Sequence, residues 1–167
     1  MFYPDTFTLT TPTDRTIQVT RDFNAPRRLV FDAFTKPDLV RQWLLGPPGW
    51  TMPVCEIDLK VGGSYRYRWR HESDGREMGM GGEFREIVVG ERLVATERFD
   101  DAWYPGDALD TTVFTEQSGV TRITLTVLYE STKARDTARF SGMESGMAAG
   151  YNRLEEILSP LLLGGAQ

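Results

Sequence analysis

Cysteine and histidine are almost missing from this chain: its 167 residues hold one of each, Cys55 and His71. A single cysteine cannot close a disulfide within the chain, and one Cys with one His cannot build a zinc cluster of the Cys/His kind. Long hydrophobic runs are absent too. No stretch of about 18 apolar residues appears, and Met1 to Thr10 lacks a basic patch followed by an apolar segment. Neither secretion nor membrane insertion is indicated, so a cytoplasmic location is expected. Basic charge is short: 19 Lys plus Arg against 24 Asp plus Glu leave a net charge of −5. Phosphate-rich partners call for a basic face, so nucleic acid is not expected.

Apolar residues make up 40% of the chain, beside 16 glycines, which suffices for one sizeable core in a single domain. Arg15 to Phe23 alternates, with Ile17, Val19 and Phe23 on one face and Thr16, Gln18 and Thr20 on the other. That is the two-residue period of a half-buried strand. Asn24-Ala25-Pro26 offers a helix entry with proline at the first helical position, and Val30, Phe31 and Phe34 share one stripe. A second short helix is expected from Pro37 to Leu44, ended by Gly46-Pro47-Pro48-Gly49.

From Val54 to Glu130 the pattern is one of strands. Val54 to Lys60 and Ser64 to Glu72 flank a Gly62-Gly63 turn, and the second sets Tyr65, Tyr67, Trp69 and His71 against Arg66, Arg68 and Arg70. Further strands are expected near Glu77 to Val89, Leu93 to Phe99, Asp110 to Glu116 and Val120 to Tyr129. Between them Asp100 to Leu109 forms a longer loop containing Trp103-Tyr104-Pro105-Gly106. Gly79-Met80-Gly81-Gly82 lacks the Lys-Ser/Thr of a phosphate loop and marks a bulge or bend instead. After a short helix from Lys133 to Phe140, Ser141-Gly142-Met143-Glu144 fits a capping box for a new helix. Met143, Met147, Tyr151, Leu154, Leu158 and Leu161 then make one apolar face. The economical assembly is α+β: a curved antiparallel sheet of about seven strands wrapped around a long C-terminal helix, with two short helices after the first strand.

Several local phrases go further. They are Ala25-Pro26 with Val30-Phe31 and Pro37, the Trp43 to Trp50 segment, and Glu56-Ile57-Asp58-Leu59 before Gly62-Gly63. Gly82-Glu83-Phe84-Arg85-Glu86-Ile87, Glu91-Arg92-Leu93-Val94, and Ser141-Gly142-Met143-Glu144 with Arg153-Leu154 complete the set. Together they resemble the START and Bet v 1-like (SRPBCC) superfamily, in the branch related to the C-terminal domain of the activator of Hsp90 ATPase. The resemblance implies a helix-grip fold over residues 15–163, preceded by an extension, residues 1–14. It also implies a cavity between helix and sheet that in relatives binds apolar or amphipathic small molecules. The eukaryotic co-chaperone makes much of its Hsp90 contact through an additional N-terminal domain, which the residues before Arg15 cannot form. Hsp90 interaction is therefore not expected.

Trp43, Trp50, Tyr67, Trp69, Phe84, Phe99, Phe114, Met143, Met147 and Tyr151 supply aromatic and thioether surface around the expected groove, and are the candidate ligand-binding residues. The same residues would also serve a filled core. Gly142, Gly146 and Gly150 form a bare ridge on the last helix, approached by the sheet, a ligand or a second subunit; a homodimer is one outcome. His71 reads as a partly exposed strand-end histidine and Cys55 as a small buried hydrophobe. Arg66, Arg68 and Arg70 read as a solvated outer face paired with acids. Asp58, Glu86 and Glu97 are the carboxylates able to act as general acid or base if buried. The leading expectation is a binding protein for a small apolar or amphipathic molecule, without catalytic residues, metal or cofactor. Two alternatives stand beside it: a cavity enzyme of the cyclase or hydrolase kind, and an interaction module using a face near Trp103-Tyr104 or a sheet edge.

Overall fold

The computed structural model describes residues 6–102, 104 and 106–165. Its strands are β1 (Thr8–Thr10), β2 (Thr16–Phe23), β3 (Trp50–Ile57), β4 (Ser64–His71), β5 (Glu77–Val88), β6 (Arg92–Phe99), β7 (Ala108–Gln117) and β8 (Val120–Leu128). Its helices are α1 (Arg27–Thr35), α2 (Pro37–Trp43), α3 (Thr132–Arg139) and α4 (Met143–Gly165). The strands form one antiparallel sheet in the order β1-β2-β8-β7-β6-β5-β4-β3. This is the α+β helix-grip architecture, with the paired short helices α1 and α2 and the long α4 on the concave side.

The sheet has eight strands rather than about seven, because Thr8–Thr10 pairs with β2, setting Leu9 opposite Val19. Without it β2 would be an edge with a row of unpaired backbone groups. The neighbouring Phe7 ring lies 6.1 Å from that of Tyr151 on α4.

Alternation assigns the two faces as expected from β4. Tyr65 and Tyr67 are buried, whereas Arg66 forms a bidentate pair with Asp100, and Arg68 reaches both Asp100 and Glu77 on the convex side. Inward residues form two apolar clusters. The larger joins Ile17, Val19 and Phe23 of β2 to Phe31, Phe114, Ile123 and the α4 residues Tyr151, Leu154 and Leu158. The smaller holds Cys55, Tyr65, Tyr67, Met80, Phe84 and Ala95 under Val40 of α2.

Helix α4 packs chiefly on α2 and α1. Gly146 and Gly150 of its glycine ridge face the end of α2 and the loop that follows it. A Cβ at Gly150 would sit 3.2 Å from the Trp43 carbonyl oxygen, and one at Gly146 would touch Pro47 at 3.6 Å. Arg153 fastens the same contact by donating to the Gly46 carbonyl at 2.7 Å. The expected capping box at 141–144 is not formed. Ser141 instead donates to the Ala138 carbonyl at 2.6 Å, serving the end of α3, and Glu144 faces Arg139 at 3.5 Å. Among the described residues, no helix is long and apolar enough to cross a membrane.

Candidate functional site

Alternation along β6 sends Leu93, Ala95, Glu97 and Phe99 to the concave face, and along β7 it sends Ala108, Asp110, Thr112 and Phe114 there. The register sets Ala95 opposite Asp110 and Glu97 opposite Ala108, so the two carboxyl groups are diagonal neighbours on one face. Side by side in one buried setting, the two carboxyl groups resist being ionised together. Asp110 also pairs with Val127 on β8, so the acids sit at the seam between the two apolar clusters.

Tyrosines ring this pair. The Tyr104 hydroxyl donates to Glu97 Oε2 at 3.4 Å, and its ring meets that of Tyr129 edge-on at 5.2 Å. Tyr65 lies across Gly82 and donates to the Thr96 carbonyl at 2.6 Å, just before Glu97. Tyr67, Tyr129 and Tyr151 are 8%, 3% and 3% exposed, yet among the described residues their hydroxyls make no hydrogen bond. Asp110 Oδ1 is both sealed from solvent and without a partner.

Burial pushes both acids above the ordinary carboxylate range, Asp110 furthest, with the neighbouring Glu97 charge adding to its shift. Burial holds the surrounding phenols protonated, and the negative charge of Asp110 and Glu97 reinforces this at Tyr65, Tyr67, Tyr104 and Tyr129. A second polar group lies further along the same concavity. Buried Glu155 of α4 accepts from the Asn24 amide, and the nearby Arg21 charge opposes the rise that burial imposes on its carboxyl group.

Gly82 is what permits the Tyr65 geometry. A Cβ there would lie 1.8 Å from the Thr96 carbonyl oxygen and 2.8 Å from the Tyr65 ring. Gly82→Ala is expected to cost about 1–3 kcal/mol, as forced overpacking does, and to displace Tyr65 from Thr96. Urea unfolding of the variant checks this; a loss within 0.5 kcal/mol, roughly the spread of a surface substitution, would show that the strand yields freely.

The sequence-predicted residues separate into groups. Tyr67, Trp69 and Phe84 lie together in or against the smaller cluster, and Phe99 packs against both clusters. Trp43, Phe114 and Tyr151 belong to the packed larger cluster, with Met143 and Met147 against it. Trp50 stands apart, edge-on to His71 at 5.0 Å and under the Arg76 guanidinium. Among the three candidate acids, Asp58 and Glu86 are exposed and paired with Lys60 and Arg92, leaving Glu97 alone inside.

Asp110 escaped the sequence reading, although the run Ala108, Asp110, Thr112, Phe114 places it in register with buried residues. His71 Nδ1 meets both Ser73 Oγ at 2.7 Å and Asp74 Oδ1 at 3.7 Å. With both partners on one nitrogen, the ring does not link an orienting acid to a nucleophile. The Cys55 thiol is buried, and burial raises its pKa. Trp103 lies outside the described residues, and Tyr104 is buried with its hydroxyl turned inward, so that pair offers no exposed aromatic face. Among the described residues, no group of three or more His, Cys, Asp or Glu could hold a metal ion.

The family model described as activator of Hsp90 ATPase homolog 1-like protein matches residues 24–159. The chain belongs to that family. Solved structures agree with the assignment. A protein from Rhodobacter sphaeroides is 27% identical, with a TM-score of 0.87 over 93% of this chain and 99% of that one. One from Chromobacterium violaceum is 28% identical, with a TM-score of 0.75 over 89% and 99%. A Staphylococcus epidermidis protein is 27% identical, with a TM-score of 0.78 over 93% and 95%. No curated protein matches the chain. Activator of Hsp90 ATPase homolog 1-like membership accounts for the helix-grip architecture; the Glu97–Asp110 pair is read from this chain's own geometry.

Proposed function

We propose that this chain binds a small amphipathic molecule in the concavity between the sheet and α4, with the polar group of the molecule received by Glu97 and Asp110. The observation that carries this reading is Asp110 Oδ1, a polar atom sealed from solvent without a protein partner, set among apolar and phenolic side chains. An unsatisfied buried group costs about 1–3 kcal/mol, so a site that keeps one beside a second inward acid is suited to something that is not protein. Apolar walls with a few convergent polar groups are the usual composition of a small-molecule pocket.

The same acid pair supports a second reading, proton-transfer catalysis, since a neutral carboxyl group beside an ionised one can both give and take a proton. Binding is the better supported. The described surroundings of the pair are phenols and hydrocarbon, with no activated nucleophile: Cys55 is held as a thiol, and His71 stands at the strand end against Ser73.

Native mass spectrometry of protein taken from its own host, together with a thermal-shift screen of lipids and aromatics, tests the reading. A ligand at a hundred times its Kd stabilises by about 2.7 kcal/mol, or about 5–10 °C for a chain of this length. No retained molecule and no shift from any compound would overturn it.

A further inference from the structure

We propose that the molecule this site receives carries its polar group in the middle, with an apolar arm on either side, and lies across the strands so that each arm rests on one apolar cluster. This rests on the binding reading above and adds the structural class of the ligand. Sheet register is the first argument. The pairs Val127–Asp110, Asp110–Ala95 and Ala95–Phe84 make one row that runs from β8 through β7 and β6 to β5. Val127 belongs to the larger cluster, whereas Ala95 and Phe84 belong to the smaller. The neighbouring row begins the same way, with Glu97 opposite Ala108 of the larger cluster. Three strand spacings set the ends of the first row about 14 Å apart, and the acids fall between them. Across the strands the concave face is therefore apolar, then acidic, then apolar again.

Residual accessibility is a second, independent argument. On the concave sides of β6 and β7, Leu93, Ala95, Ala108, Thr112 and Phe114 are buried, whereas Glu97, Phe99 and Asp110 keep accessible surface. Phe99 is also one of three half-buried side chains, with Leu44 and Ile87, that pack against both clusters. The incompletely covered part of this face is thus the seam between the clusters. Burial of apolar surface is favourable in proportion to its area, so arms on both sides of the seam gain what a single arm cannot. A molecule with a terminal polar group would leave one cluster without an arm. At the far end of the concavity its head would find the Glu155 carboxyl group already engaged by the Asn24 amide. The arrangement asks for no particular charge, because an internal hydroxyl, amide or amine each supplies the donor that Asp110 Oδ1 lacks.

Two isomers of equal composition separate the cases: 5-nonanol and 1-nonanol, titrated calorimetrically into the full chain at pH 7. 5-Nonanol is expected to bind at least fivefold more tightly. Intermolecular NOEs from its end methyl groups are expected to reach both the Met80 methyl group, in the smaller cluster, and the Val127 methyl groups, in the larger. A smaller preference, the reverse order, or NOEs confined to one cluster would overturn the two-armed assignment and leave the pocket reading standing. Should neither isomer bind, a molecule retained from the host decides the matter: a polar group at its end overturns the assignment, and one at its middle upholds it. Neither isomer binding and no retained molecule would remove both.

Discussion

Trp43→Ala is expected to cost about 3–5 kcal/mol, the range for a large aromatic side chain removed from a packed core, and to be the most damaging single change in the helical layer. Trp43 is 3% exposed at the end of α2 and touches two other helices, α1 and α4. Its ring packs 4.9 Å from Phe34 of α1 and 5.8 Å from Tyr151 of α4, and its carbonyl faces the bare flank of Gly150.

The indole also repairs a defect written into the sequence. The Ala33 carbonyl would ordinarily receive the amide of the residue four positions on, but that residue is Pro37, which has none. The Trp43 Nε1–H donates to the Ala33 oxygen at 2.9 Å instead. Trp43→Phe keeps most of the ring and orphans that carbonyl, so it is expected to cost about 1–3 kcal/mol. Urea unfolding with an unchanged m-value would measure both. A loss below about 1 kcal/mol for the alanine variant, the centre of the range for point substitutions in general, would contradict the role assigned to Trp43.

The second large effect is a dependence of stability on pH set by Glu97 and Asp110. Both carboxyl groups titrate higher in the folded chain than when unfolded, so the folded state binds more protons once the pH exceeds the unfolded value of about 4. Stability from this source is full below that value and is lost as the pH rises through the folded titration. Each unit by which the folded titration exceeds the unfolded one corresponds to about 1.4 kcal/mol lost at high pH.

The convex-face acids work in the opposite sense. Hydrogen bonding to Arg66 holds Asp100 below its usual range, and the Arg76 amide does the same for Asp74. Their contribution is present above the unfolded value and lost as the pH falls through the folded one. The two windows therefore lie on opposite sides of about pH 4. Glu155, raised by burial, shares the upper window, so the comparison that isolates the pair is wild type against Asp110→Asn. The variant is expected to melt higher than wild type at pH 8 and to differ little at pH 4. Parallel melting curves from pH 4 to pH 8 would show that the acids are not coupled to folding. Greater stability with weaker ligand binding in one variant is the signature of a polar site kept for function at a cost to the fold.

Much of this architecture was legible because its signals are local. Alternation in Ser64–His71 marks which side chains face inward without knowledge of the neighbouring strands, and the arginines of that strand do lie on the convex face with Asp100 and Glu77. Pro26 and Pro37 bracket the short helices, and the apolar spacing from Met143 outlines α4. Local pattern misled at Ser141, whose hydroxyl serves the preceding helix because the chain turns at Gly142, where φ is +90°, before α4 begins. It also left Thr8–Thr10 open, since three residues carry too little period to announce a strand that exists by pairing with β2.

The sequence by itself determined the order and faces of the elements and, through its phrases from Ala25 to Leu154, the family. Both follow from spacing along the chain. Only the tertiary structure decided that the Gly146–Gly150 ridge meets Trp43 and Pro47, that the Trp43 indole stands in for the amide missing at Pro37, and that Glu97 and Asp110 share one face. Periodicity assigns each acid to the inward side of its own strand. Their meeting depends on the β6–β7 register across the long intervening loop, and their altered titration depends on the apolar clusters that close around them.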